Sequence, residues 1–479
     1  MQDAGVGYES RHTRGRPILS ASETFHLQRA IPLQRGYDLV VAGGGPAGCG
    51  AAIAAARLGA RVLLVEATGC LGGMGTSALV SAWSHMSDGR ASVIGGLMLE
   101  LVETMYERGH IAPSYDRSFW TTRHNRGLGY DPEGYKRLLD QWCEEAGVEV
   151  RFFTKVIDAQ ADPATGRVDG VVVHGVEGYA FVAAETFVDA TGDAVLADLC
   201  GAASRRAGRD TEGIMPPTLC ALQAGIDYEV FERGLQQAAV ERAIADGFFS
   251  HRDRHLPGLF RSGPSHAIMN AGHVFGMDAL DGASLSEGMR RGRALVAEYT
   301  EFFRRYVPGC EAMTLVATAA LMGVRESRRV AGEYELDYDD YRARRHFHDQ
   351  IAVYCKQVDV HVYDDSPEEY ERYRRSFEER DVLAPGESYG IPYGVLVPRG
   401  WANLWVAGRC VSSDVAVHGA IRDQPACVMM GQAAGTAAVQ ALGSGERADA
   451  LDTRRLVETL RAHGAHLPQS ELRSAMTRR

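Results

Sequence analysis

A glycine-rich turn followed by an acidic residue is the clearest chemical signal in the sequence. The turn occupies residues 43–48 (GGGPAG), after the apolar segment 37–42, and the next apolar segment, 61–66, ends at Glu66. Such glycines permit a tight turn, a close approach of backbone to a pyrophosphate, and close packing of helix on strand. The helix N-terminus offers free N–H groups to phosphates, and the carboxylate can accept hydrogen bonds from a ribose. The predicted dinucleotide-binding residues are Gly43, Gly45, Pro46, Ala47, Gly48 and Glu66.

This motif alone leaves NAD and FAD open, and later segments decide between them. A second glycine-rich turn at 71–76 (LGGMGT) would bring backbone close to a flavin ring. Three further motifs follow at 188–193 (VDATGD), 403–410 (NLWVAGRC) and 431–438 (GQAAGTAA), and we expect the last to open a helix.

In combination, these motifs resemble those of FAD-dependent oxidoreductases of the glutathione-reductase superfamily, over about residues 30–110, 185–200, 320–335 and 385–440. The resemblance implies noncovalent FAD with Glu66 at the adenosine ribose and Val156 near the adenine. Ala67 stands where relatives often carry a basic residue beside the adenine. No second glycine fingerprint and no CxxC pair occur, so we expect neither a dedicated NAD(P)H domain nor disulfide-reductase chemistry.

The same resemblance implies a set of flavin contacts. A helix starting near Gln432 and Ala433 would direct its dipole at the flavin N1 and O2, where negative charge develops on reduction. The other implied contacts are the second glycine turn (Gly72, Gly73, Met74 and Thr76), an ATG turn (Ala190, Thr191 and Gly192) and a ribityl-phosphate turn (Gly408 and Arg409).

A histidine and an aspartate are the first candidates for substrate chemistry. Asp359 and His361 are two residues apart, which would put them on one face of a strand, and their segment resembles the family's DxH segment. His361 could take a proton from a substrate hydroxyl or amine while a hydride leaves for the flavin N5, with Asp359 holding its tautomer. A structural histidine on a half-exposed strand is the competing interpretation.

Three more candidates come from segments that match the family. Arg325 could clamp a carboxylate or stabilise reduced-flavin charge, and a structural pair with Glu326 is the alternative. His418 and Arg422 lie between two flavin-contacting motifs, so we expect both near the ring, with His418 as a specificity feature.

Other histidines suggest chemistry that we do not expect. His346 and His348 have strand-face spacing for a metal, but hydrogen-bonding or exposed histidines are the preferred interpretation, and no metal is predicted. His85 does not match the histidyl-flavin pattern, so no covalent flavin link is expected.

The elements that must position these residues predict an α/β fold. Segments 37–42, 46–58 and 61–66 read as a βαβ unit, and 148–190 as a β meander. We predict a doubly wound, discontinuous FAD-binding Rossmann-like domain with an α+β substrate or cap domain. The predicted limits are an N-terminal arm (1–36), the FAD-binding domain in two parts (37–215 and 391–445), the cap (216–390) and a C-terminal helix and tail (446–479).

Composition excludes several classes of protein. The net charge of -11 and the lack of a basic stripe argue against nucleic-acid binding. No apolar stretch reaches 18 residues, so we expect no membrane span and no signal peptide. Nine cysteines, an odd number, fit a reducing cytoplasm better than a disulfide framework.

The predicted function is two-electron dehydrogenation of a small polar molecule at a CH–OH or CH–NH centre. The electron acceptor stays open between oxygen, a quinone and another protein. A flavin monooxygenase or an ene-reductase with an external reductant is the alternative among enzymes. A non-catalytic FAD- or NAD-binding subunit is the alternative from another class.

Overall fold

The computed structural model describes residues 26–254, 256–378 and 381–468. Most of the predicted N-terminal arm and the end of the predicted tail lie outside these residues. The strands are β1 (Leu33–Ala42), β2 (Val62–Val65), β3 (Ala82–Ser84), β4 (Gly127–Gly129), β5 (Glu149–Arg151), β6 (Lys155–Asp162), β7 (Arg167–Gly175), β8 (Gly178–Asp189), β9 (Ser204–Arg206), β10 (Ala221–Ala224), β11 (Gly258–Arg261), β12 (Ala267–Asn270), β13 (Thr314–Thr318), β14 (Arg328–Val330), β15 (Gln350–Tyr354), β16 (Tyr389–Pro392) and β17 (Leu404–Val406). The helices are α1 (Pro46–Arg57), α2 (Gly96–Glu107), α3 (Ser118–Thr121), α4 (Pro132–Ala146), α5 (Val195–Leu199), α6 (Gln236–Ala245), α7 (Gly282–Tyr306), α8 (Tyr338–Arg342), α9 (Pro367–Glu378), α10 (Val415–Ile421), α11 (Gln424–Ser444) and α12 (Thr453–Ala462).

A βαβ unit forms where the glycine fingerprint predicts it. Strands β1 and β2 pair in parallel, with Leu39 opposite Val62 and Ala42 opposite Val65, so both strands end at the same edge of the sheet. All four residues of β2 are buried, as expected for a parallel strand that is covered on both faces. Gly43 and Glu66 follow these strand ends directly and therefore meet at that edge.

The first sheet joins segments that are far apart in the chain. Its strand order is β5-β2-β1-β8-β7-β6, and β17 also pairs with β8. Residues 178–183 of β8 pair antiparallel with β7, whereas Phe187–Asp189 pair in parallel with β17. The carboxyl ends of β1, β2, β8 and β17 thus lie at one edge, and the predicted α/β class with a Rossmann-like parallel sheet is confirmed.

Small residues let helices α1 and α11 lie almost in backbone contact. A Cβ atom at Gly431 would lie 2.0 Å from the carbonyl oxygen of Ala47, and one at Gly435 would lie 2.1 Å from that of Ala51. Neither distance is compatible with a side chain, so these two glycines serve helix packing. The motif 431–438 therefore has a structural reason that does not require contact with a ligand.

A second sheet carries a second hydrophobic core. Its order is β11-β12-β10-β13, all antiparallel, and Phe302 and Phe303 of α7 are fully buried in its core. Strand β15 and the first two residues of β16 lie inside the predicted cap limits 216–390, yet Tyr354 and Tyr389 belong to the first core. The limits of the domains stay a prediction.

The predicted terminal helix is present as α12. Asp452 caps it by accepting hydrogen bonds from the backbone N–H groups of Arg454 and Arg455, and Gly464 follows it with φ +81°. Among the helices of the described ranges, none is long and apolar enough to cross a membrane.

Candidate active site

A cavity of about 1270 Å³ runs from the carboxyl edge of the first sheet to the second sheet. Glu66 and Val156 line one end of it, and Phe260 and Asn270 line the other. Pockets for small ligands usually have volumes of about 300–1,000 Å³, so this cavity has room for a large cofactor and a small molecule together. The predicted cofactor residues that line it are Gly43, Gly45, Pro46, Ala47, Glu66, Ala67, Gly73, Met74, Val156, Ala190, Thr191, Gly192, Gly408 and Arg409.

The N-terminus of α1 faces the cavity as an open anion site. Gly45 is the N-cap residue, and neither a capping side chain nor an acidic residue occupies the first turn. A Cβ atom at Gly45 would meet none of the described atoms within 4 Å, so the space in front of the first turn is free. Gly43 has φ +95°, and Gly48 packs so closely that a Cβ there would lie 1.8 Å from the Gly43 carbonyl oxygen. The helix dipole and free N–H groups therefore suit a pyrophosphate.

Glu66 lies at the same end of the cavity as Val156, with its carboxylate held in place. Its Oε2 accepts a hydrogen bond from the backbone N–H of Gly44 at 2.7 Å. Its Oε1 accepts from the backbone N–H and the hydroxyl of Thr68, both at 2.7 Å. Because two carboxylate oxygens offer about four acceptor positions, the side chain retains capacity for a ribose hydroxyl.

The second glycine turn contributes fewer contacts than predicted. Gly73 and Met74 line the cavity, but Gly72 and Thr76 do not. The Thr76 hydroxyl donates to the carbonyl of Leu71 at 2.6 Å, and Gly72 has φ +93°. These two residues stabilise the conformation of the turn without lining the cavity, so their prediction as lining residues is wrong.

The ends of β8 and β17 bring the ATG turn next to Arg409. Nη2 of Arg409 donates to Asp193 at 2.7 Å, and its Nη1 is buried with no hydrogen-bond partner among the described residues. A buried guanidinium N–H without a partner is costly, so a ligand oxygen is the expected acceptor. The ribityl-phosphate contact of Arg409 stays a prediction.

The predicted helix start at Gln432 and Ala433 is wrong. Helix α11 begins at Gln424, with Pro425 in its first turn, which places Gln432 two turns inside the helix. The side chain of Gln432 accepts from the backbone N–H of Leu97 at 3.0 Å, and Ala433 is fully buried. The end of α11 that faces the cavity is therefore formed by Asp423 and Gln424.

His361 lines the cavity, but not on a strand. Strand β15 ends at Tyr354, and residues 355–362 form no strand, so the predicted period-two placement is wrong. The chain nevertheless brings Oδ1 of Asp359 to 3.5 Å from Nε2 of His361. His361 is only 5% exposed to solvent, and its side chain lines the cavity.

Arg325 contacts this imidazole directly. Its Nε donates to Nε2 of His361 at 3.1 Å, and its Nη1 donates to the carbonyl of Pro216 and, at 3.2 Å, to the hydroxyl of Thr218. Burial lowers the pKa of Arg325 to about 10, and the charge of Arg422 acts in the same direction. The guanidinium thus lines the cavity as a buried cation.

Lys356 was missed by the sequence analysis, and it balances the charge of the site. Its Nζ lies 3.1 Å from Oδ2 of Asp359 and 2.7 Å from Oδ2 of Asp423, and Arg422 lies 3.6 Å from Asp359. Burial would raise the pKa of Asp359, but the cations Lys356 and Arg422 hold it well below its usual range. The available signal was that lysine is rare in this chain, occurring at three positions.

His273 and Asp253 were also missed, and they back His361 on its other side. Nε2 of His273 lies 3.1 Å from Nδ1 of His361, and Nδ1 of His273 lies 3.2 Å from Oδ1 of Asp253. The three residues come from separate segments with no shared motif, so no local pattern could have linked them.

His85 and Cys427 line the cavity as uncharged groups. Burial lowers the pKa of His85 to about 4, and its backbone has φ +48°. Burial raises the pKa of Cys427 to about 12, so its sulfur is held as a thiol rather than as a nucleophilic thiolate.

His418 does not reach the cavity, so its prediction as a residue near the ring is wrong. It lies in α10, is fully buried, and donates from Nε2 to the carbonyl of Arg325 at 3.0 Å. Burial and the charges of Arg329 and Arg422 lower its pKa well below the ordinary histidine value. His418 therefore supports the backbone of Arg325 as a neutral side chain.

This burial predicts a specific dependence of stability on pH. The unfolded chain takes up a proton at His418 below about pH 6.5, whereas the folded protein does not, so stability falls as pH decreases from 7 to 5. We expect His418→Gln to remove up to about 1.4 kcal/mol per pH unit of this dependence. Urea unfolding of the apoprotein at several pH values measures it. The control His348→Gln, at a side chain that is 79% exposed, should leave the dependence unchanged, and an unchanged slope in His418→Gln would contradict the prediction.

The residues of the cavity fit FAD. The open N-terminus of α1 suits a pyrophosphate, and Glu66 next to Val156 suits an adenosine. The unpartnered Nη1 of Arg409 requires an acceptor farther along the cavity. The strands that precede Glu66, α1 and Arg409 are β2, β1 and β17, and their order in the sheet, β2-β1-β8-β17, matches the order of adenosine, pyrophosphate and ribityl chain in FAD.

Comparisons with known proteins agree with this geometry. The chain matches the sequence model of FAD dependent oxidoreductases over residues 38–460, whereas no curated protein sequence matches it significantly.

Solved structures that are similar to this chain include the following three, all of low sequence identity. A geranylgeranyl bacteriochlorophyll reductase-like protein from Thermoplasma acidophilum has TM-score 0.46 and 13% identity, with 89% of this chain and 83% of that chain covered. The myxobacterial chondrochloren halogenase CndH has TM-score 0.42 and 14% identity, with 90% and 79% covered. The p-nitrophenol 4-monooxygenase PnpA from Pseudomonas putida has TM-score 0.41 and 12% identity, with 90% and 89% covered. Because the family model spans most of the chain, the chain belongs to the FAD dependent oxidoreductases and is an enzyme with FAD as its cofactor.

Proposed function

We propose that this FAD-dependent oxidoreductase dehydrogenates a small polar molecule at a CH–OH or CH–NH centre. The observation that carries this proposal is His361, a buried imidazole at the cavity wall between Asp359, Arg325 and His273. FAD, when bound, accepts the hydride, so the protein has to orient the substrate and take up a proton.

His361 is the proposed proton acceptor at Nε2. Its lone pair there accepts the hydrogen bond from Arg325, so proton uptake requires that Arg325 release this bond. Once protonated, Nε2–H faces the ionised Asp359, 3.5 Å away, which stabilises the imidazolium. Arg325 and Arg422 are the proposed groups that orient a polar or negatively charged part of the substrate.

Several finer assignments belong to the same proposal. The motifs at 43–48, 188–193 and 403–410 follow strands that end at one sheet edge, which supports membership of the glutathione-reductase superfamily. The cofactor contacts, apart from the corrected ones, and the predicted domain limits are proposed as stated from the sequence. A cytoplasmic location is proposed on the odd number of cysteines, with oxygen, a quinone or another protein as the electron acceptor.

The test is anaerobic mixing of the FAD-loaded protein with a panel of hydroxylated and amino compounds. We expect one compound class to bleach the flavin absorbance, and the analogue lacking the hydroxyl or amino group to leave it unchanged. Bleaching only by an external reductant, followed by an oxygenated product in air, would favour a monooxygenase. Reoxidation by an activated alkene would favour an ene-reductase, and failure of every electron donor would favour a non-catalytic subunit.

A further inference from the structure

A chain of hydrogen bonds leads from the cavity wall into the second core. It begins at His361, passes through His273 at 3.1 Å and ends at Asp253 at 3.2 Å. His273 and Asp253 are only 2% and 3% exposed, and neither lines the cavity. Buried groups of this kind are retained at a cost in desolvation, so their alignment behind a cavity histidine calls for a role.

The donor at the cavity end sets the direction of every bond in the chain. A guanidinium N–H can only donate, so Nε2 of His361 accepts from Arg325 and the ring proton lies on Nδ1. Nδ1–H of His361 then donates to Nε2 of His273, and Nδ1–H of His273 donates to the Asp253 carboxylate. One tautomer of each ring satisfies all of these bonds.

Asp253 is held rigidly at the far end. Its Oδ2 accepts from the backbone N–H of His273 at 2.7 Å, and its Oδ1 also accepts from the hydroxyl of Tyr370 at 2.7 Å. Burial lowers the pKa of His273 against the opposing effect of Asp253, which keeps the ring neutral. The carboxylate is thus oriented toward Nδ1 of His273.

We propose that Asp253 and His273 are positioning residues that fix the rotamer and tautomer of His361. The inference rests on the proposed function. As the substrate O–H or N–H bond breaks and an N–H bond forms at Nε2 of His361, Nδ1–H stays bonded to His273. The negative charge of Asp253 then stabilises the new positive charge on His361 through the intervening ring of His273. The charged groups that face this unit are Arg325 and Asp359 at His361, with Lys356 and Arg422 beyond Asp359.

Asparagine is nearly isosteric with aspartate, and the variant Asp253→Asn should reverse the direction of the hydrogen bonds from residue 253 through His273 to His361. Its amide oxygen can accept from the backbone N–H of His273, but its NH₂ group then faces Nδ1 and donates. His273 must therefore carry its proton on Nε2, and His361 must carry its proton on Nε2, opposite the N–H of Arg325.

Nitrogen-15 NMR of the FAD-loaded protein with labelled histidine reads these tautomers without any substrate. Signals are assigned from His273→Gln and His361→Gln samples. We expect protons on Nδ1 of both rings in the wild type and a shift toward Nε2 at His361 in Asp253→Asn. A wild-type His361 with its proton on Nε2 would overturn the inference, even if Asp253→Asn failed to fold.

The kinetic arm separates positioning from a purely structural role. With a compound that bleaches the flavin, Asp253→Asn should slow reduction by about 10- to 100-fold, with an unchanged substrate Kd, and Asp253→Glu should recover part of the rate. The matched control is His110→Gln, which alters a histidine–aspartate pair (3.3 Å to Asp131) outside the cavity and should leave the rate unchanged. If the flavin of Asp253→Asn were reduced by substrate at the wild-type rate, this inference would be overturned and the proposed function would still stand. If the proposed function were wrong, no compound of the panel would bleach the flavin. The NMR experiment would still determine the tautomers of His273 and His361.

Discussion

Exchanging Gly45 for aspartate is expected to weaken FAD binding at least about 100-fold and leave the protein folded. The backbone of Gly45 is extended, with φ -70° and ψ -176°, and a Cβ atom there would enter free space. Aspartate is a favourable N-cap residue, so its carboxylate would accept the N–H bonds of the first turn of α1. It would thereby occupy the donors and add a negative charge where the pyrophosphate must bind.

The size of the effect follows from the bonds that are lost. Two hydrogen bonds to a charged group contribute about 3–6 kcal/mol, which corresponds to a decrease in FAD affinity of at least about 100-fold. Titration of the apoprotein with FAD measures the affinity, and thermal unfolding of the apoprotein measures its stability. Gly282→Asp is the matched control, because Gly282 begins α7 with equally free space and lies outside the cavity. Wild-type affinity in Gly45→Asp would contradict the assignment of the pyrophosphate site.

Exchanging His361 for glutamine is expected to slow flavin reduction by substrate about 100-fold or more. Glutamine can still accept the hydrogen bond from Arg325, but it cannot take a proton at neutral pH, so the loss reports general base catalysis. FAD affinity should change little, because the pyrophosphate site at the N-terminus of α1 is built from other residues.

Stopped-flow absorbance under anaerobic conditions measures this rate. The control is His348→Gln, which changes an exposed side chain outside the cavity. Its flavin should be reduced at the wild-type rate. If the flavin of His361→Gln were reduced as fast as that of the wild type over the whole pH range, another group would have to take the proton. The assignment of His361 as the base would then be wrong.

Glycine patterns show where sequence reasoning was ambiguous. The glycines of 43–48 and those of 431–435 look alike as letters, yet Gly45 borders free space whereas Gly431 lies against the backbone of Ala47. A glycine marks close approach, but the sequence does not say whether a ligand or a helix approaches. The glycines of 431–435 therefore predict a helix start near Gln432, whereas α11 begins at Gln424.

The sequence by itself determined the α/β class and the βαβ unit that carries the glycine turn and Glu66. The turn at 43–48, the following helix and Glu66 form one contiguous βαβ unit, and their geometry depends on local backbone conformation. Only the tertiary structure decided which side chains surround His361 in the proposed substrate site. Arg325, His361, His273 and Asp253 converge from separate segments, His273 and His361 being 88 positions apart, and Asp359 reaches His361 without a strand. These side chains meet because the second sheet and the carboxyl edge of the first border one cavity, and no local periodicity records such a long-range arrangement.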